Sequence, residues 1–202
     1  MIVIVDYGVG NLRSIDNMLR KVGAPSKISG DAGDIRSADK LILPGVGNFG
    51  YGMERLRATG LIDSLDWFAL EAKRPVLGIC LGAQILGKGS EEAEGIPGLG
   101  WIDMYCHQFP ASMNLPVPHM AWNTIELTHD TPLIPAVEED TRYYFVHSYY
   151  MKCARSENVL AETEYGIRYT SAVCHENIFG TQFHPEKSHR FGISMMTGFA
   201  AL

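Results

Sequence analysis

The sequence predicts an α/β protein built on a central, mostly parallel sheet that becomes mixed late in the chain, and three observations carry that reading. Three times in the first half, a short unbroken apolar run passes through a glycine-containing turn into a stretch with helical spacing. After Gly95 the texture shifts to prolines and alternating segments. At 202 residues and 46% hydrophobic, the chain can bury a core without a disulfide or metal staple.

Ile2-Val3-Ile4-Val5 is β-branched and unbroken, as a strand buried on both faces requires. It ends in Asp6-Tyr7-Gly8-Val9-Gly10-Asn11, after which Leu12, Ile15, Leu19 and Val22 recur at helical spacing until Gly23 stops the helix. Leu41-Ile42-Leu43 is the second strand. It runs through Pro44-Gly45-Val46-Gly47 into a helical stretch carrying Met53, Leu56, Leu61, Ile62 and Leu65. Val76-Leu77-Gly78-Ile79 is the third, and it enters a helix through Cys80-Leu81-Gly82-Ala83-Gln84-Ile85-Leu86. Prolines at 97, 110, 116, 118, 132 and 135 and the alternation of Tyr143-Tyr144-Phe145-Val146 then predict antiparallel strands and loops. Ile178 to Phe183 reads as a last strand and a closing helix begins near Gly192. Without a repeat, low-complexity tract or linker, residues 1–202 are expected to form one domain.

Charge narrows the function classes. Seventeen Lys and Arg against 23 Asp and Glu give a net charge of −6, which lacks the basic footprint of a nucleic-acid binder. No run of about 20 apolar residues predicts a membrane span, and MIVIVDYG lacks the basic start of a secretory signal. The four cysteines, Cys80, Cys106, Cys153 and Cys174, show no C-x-x-C spacing, so reduced thiols in the cytoplasm and no metal site are expected.

One thiol stands apart. Gly78-Ile79-Cys80-Leu81-Gly82 has the G-x-nucleophile-x-G layout of a nucleophile elbow on a sharp strand-to-helix turn. There the helix N-terminus favours thiolate, and the Leu81 N–H faces an oxyanion forming on an attached acyl group. A buried structural cysteine is the competing reading. A thiol nucleophile needs a base, and the base an orienting group. Among seven histidines, His184 follows a strand and has Glu186 two residues on, with Pro185 stiffening the link. Like Cys80 it would sit at a strand's carboxyl end, where α/β sheets gather reactive groups. His147, also at a strand end, is a competitor that would line the same pocket, and His119 lies in what reads as a rigid loop, Pro116 to Trp122. His107, His129, His175 and His189 have no motif around them. Pro44-Gly45-Val46-Gly47 is open to three readings: a phosphate cradle lacking the Walker Lys-Ser/Thr, a turn aiming N–H groups at an intermediate, or a plain strand-to-helix turn.

The paired motifs around Cys80 and Phe183-His184-Pro185-Glu186 resemble the signature of class I, triad-type glutamine amidotransferases. The likeness is nearest to the glutaminase subunits of imidazole glycerol phosphate synthases and runs along almost the whole chain. It is carried by Asp6 to Asn11, Leu43 to Gly47, Ser90-Glu91-Glu92, Gly98 to Ile102, Pro118-His119-Met120-Ala121-Trp122-Asn123, Tyr144 to Tyr149 and Gly180 to Ser188. Ala121 departs from the glycine more usual there.

The resemblance implies a three-layer fold and a Cys80-His184-Glu186 triad that hydrolyses glutamine to glutamate and ammonia without a cofactor. It implies an oxyanion hole from Leu81 and a reorienting Val46-Gly47 peptide, and substrate contacts from Gln84, Glu92, Ser148 and Tyr149. It places Asn11, Pro118, His119, Met120, Trp122 and Asn123 against a (β/α)8-barrel cyclase. There the ammonia would yield imidazole glycerol phosphate and aminoimidazole carboxamide ribotide in histidine biosynthesis. The stretch Lys187 to Gly192 also resembles paralogues that feed ammonia to surface-sugar synthesis. The other readings are a non-catalytic partner-binding subunit of the same fold, which has no chemical need for an intact triad, and a cysteine peptidase.

Overall fold

The computed structural model describes residues 1–135 and 137–202. In chain order it contains β1 (Ile2–Val5), α1 (Leu12–Lys21), β2 (Ser26–Ser29), α2 (Ala32–Ser37), β3 (Lys40–Leu43), α3 (Phe49–Ala58), α4 (Ile62–Asp66), β4 (Val76–Ile79) and α5 (Leu81–Gln84). There follow β5 (Gly89–Ser90), β6 (Met104–Gln108), β7 (His119–Asn123), β8 (Glu126–Leu127), β9 (Tyr143–His147), β10 (Tyr149–Cys153), β11 (Val159–Tyr165), β12 (Ile167–His175), β13 (Ile178–Thr181) and α6 (His189–Ala201).

The predicted α/β class and mixed sheet are observed. Strands order as β2-β1-β3-β4-β13-β12-β10-β6-β5, with β11 pairing β12 and β8. The run β2-β1-β3-β4-β13 is parallel, and β12, β10 and β6 continue it antiparallel. Alternation within each strand splits the core into two layers. Val3, Val5, Leu41, Leu43 and Val76 pack with Leu56, Leu65 and Phe68 on one face. Ile2, Ile4, Ile42, Leu77 and Ile79 pack with Ile15, Leu19, Met195 and Phe199 on the other. Helices α2, α3 and α4 therefore cover one face and α1 and α6 the other, the three-layer arrangement expected of a parallel sheet buried on both sides.

Several details differ from the sequence reading. The helix expected across Met53 to Leu65 is two helices, because Gly60 takes a left-handed φ of 68° between them. The last strand stops at Thr181, whose hydroxyl donates to the Phe183 carbonyl at 3.1 Å; the chain then leaves the sheet and the His184 N–H pairs with Tyr144 of β9. The closing helix begins at His189. The stretch Pro118 to Asn123 is not an exposed loop: His119–Asn123 forms β7, paired antiparallel with β9 in a separate two-stranded sheet. Edge strand β2 and helix α2 are additions to the sequence reading: three of the four residues Ser26-Lys27-Ile28-Ser29 are polar and only Ser29 is buried.

Candidate active site

Strands β4 and β13 are parallel neighbours with Ile79 opposite Thr181, so the residues after each strand end meet at one edge. Cys80 stands immediately beyond β4 at φ 54° and ψ −110°. An L-residue there costs on the order of 1–2 kcal/mol. The turn is held by the Cys80 N–H donating to the Thr181 carbonyl at 2.7 Å and by the Ala83 and Gln84 N–H groups returning to the Cys80 carbonyl. The flanking glycines are a packing requirement. A Cβ on Gly82 would lie 1.8 Å from the Leu43 carbonyl oxygen, and one on Gly78 would lie 2.6 Å from the Gly82 carbonyl oxygen.

The helix after Cys80 is shorter than the sequence suggested: α5 spans only Leu81–Gln84, and tighter turns follow to Gly87. One turn of helix carries little macrodipole, so the sulfur's electrostatic surroundings come mainly from side-chain neighbours. Chief among these is His184, 1% exposed. Its Nδ1 lies 2.7 Å from Oε1 of Glu186, in a pair whose side chains are 1% and 2% exposed. Glu186 accepts from Nδ1–H and so turns Nε2 toward the sulfur; Nε2 has no hydrogen-bond partner among the described residues. Burial lowers the imidazole's pKa, but Cys80 and Glu186 outweigh it and raise it to about 10. The His184 imidazole is thus set up as imidazolium beside the sulfur. The remaining thiols are held protonated by burial, Cys153 pushed up to about 12, Cys174 to about 11 and Cys106 higher still.

Cys80 opens on a cavity of about 390 Å³ lined by Gly47, Asn48, Leu81, Gln84, Glu92, Pro118, Val146, His147, Ser148 and Tyr149. The fold therefore gathers Gly47, Leu81, Gln84, Glu92, Ser148 and Tyr149 from separate stretches of the chain around the sulfur. Val46 does not line the cavity; its side chain is exposed. Gly47 takes φ 94° with open space where a Cβ would stand. Glu92 accepts the Phe49 N–H at 2.7 Å through Oε2 and so helps cap α3. Gln84 donates from Nε2 to the Tyr149 carbonyl and to Gln182 Oε1, both at 3.0 Å. Among the described residues, no group of three or more His, Cys, Asp or Glu is placed to hold a metal.

His147 and His119 are buried and neutral. His147 Nδ1 donates to the Tyr149 carbonyl at 2.8 Å, and its Nε2 accepts from the Tyr169 hydroxyl at 3.2 Å. Burial lowers its pKa to about 3, which removes it as a competing base. His119 Nδ1 lies 3.0 Å from the same hydroxyl and stacks on Tyr165 and Phe145, and burial lowers its pKa to about 4. Its side chain faces inward, away from any partner surface. Of β7, Met120 and Trp122 turn to solvent, at 59% and 42% exposure, while Asn123 bonds back to the Glu164 carbonyl. Asn11 is exposed at the start of α1.

Two residues were not singled out from the sequence. Gln182 lies fully buried with Nε2 3.8 Å from the Cys80 sulfur. Tyr7 is buried, donates to the Pro44 carbonyl at 2.5 Å, and braces the Gly45-Val46-Gly47 turn. Both sit inside motif stretches, which was the available signal, but their partners are distant in sequence.

The family model described as class-I glutamine amidotransferase matches residues 3–199. The chain is 48% identical over 202 residues to imidazole glycerol phosphate synthase subunit HisH 2 of Pseudomonas aeruginosa, covering 100% of both chains. It is 47% identical over 199 residues to the protein of the same description from Methanococcus maripaludis, covering 98% of each. Against subunit HisH of Leptospira interrogans it is 42% identical over 205 residues, covering 100% of both. Among solved structures, a putative GMP synthase component from Thermoplasma acidophilum superposes with a TM-score of 0.74 at 19% identity, covering 99% of this chain and 92% of that one. A crystal structure of a glutamine amidotransferase gives a TM-score of 0.72 at 18% identity, covering 100% and 99%. These two likenesses concern the fold.

Proposed function

The chain belongs to the class I glutamine amidotransferases, and from that premise we propose that it is the glutaminase subunit of an imidazole glycerol phosphate synthase, with Cys80, His184 and Glu186 as its catalytic residues. The observation that carries the reading is the buried Glu186–His184 pair aimed at a strained, pocket-facing Cys80.

The thiolate of Cys80 attacks the side-chain carboxamide carbon of glutamine. The oxyanion meets the Leu81 N–H and an N–H of the Val46-Gly47 peptide, whose freedom to turn is supported by the open space around Gly47. His184, already charged, gives its Nε2 proton to the departing amine, and ammonia leaves as the thioester forms. His184 then takes a proton from water, whose hydroxide attacks the thioester carbon and restores the thiolate with release of glutamate. Glu186 keeps Nδ1 protonated and offsets the imidazolium charge throughout. Glu92, with one carboxylate oxygen spare, suits the substrate's ammonium, and Gln84, Ser148 and Tyr149 supply polar contacts along the cavity wall.

Ammonia passes to a (β/α)8-barrel cyclase subunit in a heterodimer. Met120 and Trp122, beside Pro118 at the cavity, supply the apolar part of that interface, with Asn11 and Asn123 at its polar margin. A cytoplasmic setting for one amidotransferase domain spanning 1–202 is consistent with four free cysteines.

Cys80→Ala in the co-purified complex is expected to abolish glutamate release while leaving the complex assembled. Glutamine hydrolysis above background by this variant, with partner and acceptor nucleotide present, would overturn the assignment. Ammonia transfer to the partner's nucleotide tests the pathway.

A further inference from the structure

We propose that Gln182 is a positioning residue that sets the polarity of both walls of the glutamine site: its amide oxygen fixes Gln84 and its amide nitrogen donates to the sulfur of Cys80. The proposal rests on the glutaminase reading above and deepens it.

Amide orientation is decided at the far end of the chain of contacts. The Tyr149 carbonyl receives the Nδ1–H of His147 at 2.8 Å and the Nε2–H of Gln84 at 3.0 Å. A carbonyl oxygen accepts only, so Gln84 must present Nε2 to it, because the flipped amide would set oxygen against oxygen. The second N–H of that nitrogen then points to Gln182 at 3.0 Å, which requires Oε1 of Gln182 on that side. With its oxygen committed, Gln182 has only Nε2 left to turn to Cys80, 3.8 Å away.

Two consequences follow for the reaction. Both N–H groups of Gln84 are spent inside the protein, which leaves Oε1 as the end it offers the cavity, an acceptor for an N–H or ammonium of the substrate. The sulfur, meanwhile, receives an N–H from Gln182. A donor to sulfur strengthens as negative charge accumulates there, so the contact favours the thiolate both before attack and after thioester hydrolysis. Gln182 is fully buried, and its own backbone N–H is tied to Ser171 at 2.9 Å, so its reach is fixed by the strand end rather than by a mobile loop. The other titratable groups acting around the sulfur are His184, Tyr7 and Cys106, whereas the Gln182 side chain bonds to Gln84 and Cys80.

The test compares Gln182→Met, which removes donor and acceptor with little change of volume, and Gln182→Glu, which keeps an oxygen for Gln84 and replaces the N–H facing sulfur. The readouts are the pH profile of Cys80 alkylation by iodoacetamide on the full chain, and kcat and KM for glutamine in the complex. Gln182→Met is expected to move the alkylation midpoint up by about one pH unit and to lower kcat about tenfold, as loss of a hydrogen bond to a charged group implies, and Gln182→Glu to move the midpoint further, because its carboxylate also repels the thiolate. KM is expected to rise several-fold in Gln182→Met and to stay within about twofold in Gln182→Glu, since only the former frees Gln84. An unmoved alkylation midpoint in both variants, or equal KM changes in the two, overturns the proposal. If Gln182→Met does not fold, Gln182→Leu, which also removes donor and acceptor without adding charge, takes its place. Because alkylation reports the thiol without turnover, failure here is distinct from failure of the glutaminase reading, which Cys80→Ala tests.

Discussion

A cysteine held at φ 54° is tolerated because its two glycine neighbours let three backbone segments crowd together beneath it. This makes a sharp contrast between glycines. Gly82→Ala drives a methyl group against the Leu43 carbonyl, 1.8 Å away and itself in a central strand, and is expected to cost more than about 3 kcal/mol or to prevent folding. Gly60→Ala, at φ 68° with nothing within 4 Å, bears only the left-handed backbone and is expected to cost about 1 kcal/mol. Urea unfolding of both checks the pair; similar losses would show that the close packing around the elbow does not matter. The same locality explains what could be read from the sequence. Cys80, His184 and Glu186 carry their geometry in adjacent residues, two glycines for one and a two-residue step for the other. Gln182 does not: its side chain acquires meaning only when Gln84 of α5 and the Tyr149 carbonyl of β10 arrive beside it.

At the element scale, strand β7 is the least legible in the sequence. Prolines at 116 and 118 give the stretch the texture of a loop, yet His119, Met120, Ala121, Trp122 and Asn123 alternate inward and outward as a strand does. Edge strand β2 has no apolar run to announce it: Ile28 is its one apolar residue, and its one buried residue is the polar Ser29. The pairing of β7 with β9 buries two histidines against Phe145, Tyr165 and Tyr169, and that has a pH consequence. With folded pKa values of about 4 for His119 and about 3 for His147, both are neutral in either state above pH 6.5. Below it, the unfolded chain takes up protons that the fold refuses. The share of stability these two histidines carry is therefore complete above pH 6.5 and falls as pH drops toward 4, by up to about 1.4 kcal/mol per pH unit for each imidazole. His184, with its pKa raised, is protonated in both states well below pH 6.5 and adds nothing to that slope. Urea unfolding at steps from pH 7.5 to 4.5 should show the decline. His147→Gln, which can still donate to the Tyr149 carbonyl, should remove about one proton's share of it. An unchanged slope in that variant would mean His147 is charged in the fold.

For the whole molecule, the parallel half brings Cys80 and His184 to the ends of β4 and β13, and the antiparallel half supplies the opposite cavity wall through β9 and β10. The division of the chain at Gly95 was visible in composition, but the way the halves face each other is a property of the long pairing β4-β13-β12 and of no local pattern. The same half that closes the cavity also presents apolar surface outward: Leu115, Val117, Met120 and Trp122 are all exposed within one short stretch that includes cavity-lining Pro118. Trp122 is not loose there. It stacks on His189 at 5.3 Å between ring centres and meets Tyr144 edge-on, so it is ordered before a partner arrives and loses little entropy on binding. A large, prearranged aromatic beside the site that releases ammonia is where an interface should concentrate its binding energy. Trp122→Ala is therefore expected to weaken the complex with the synthase subunit by at least about 2 kcal/mol, roughly thirtyfold in Kd. It should leave the pH profile of Cys80 alkylation in the free subunit unchanged. Titration calorimetry against the purified partner reads the first and mass spectrometry the second. An unaltered Kd would move the docking face away from β7, and with it the exit for ammonia.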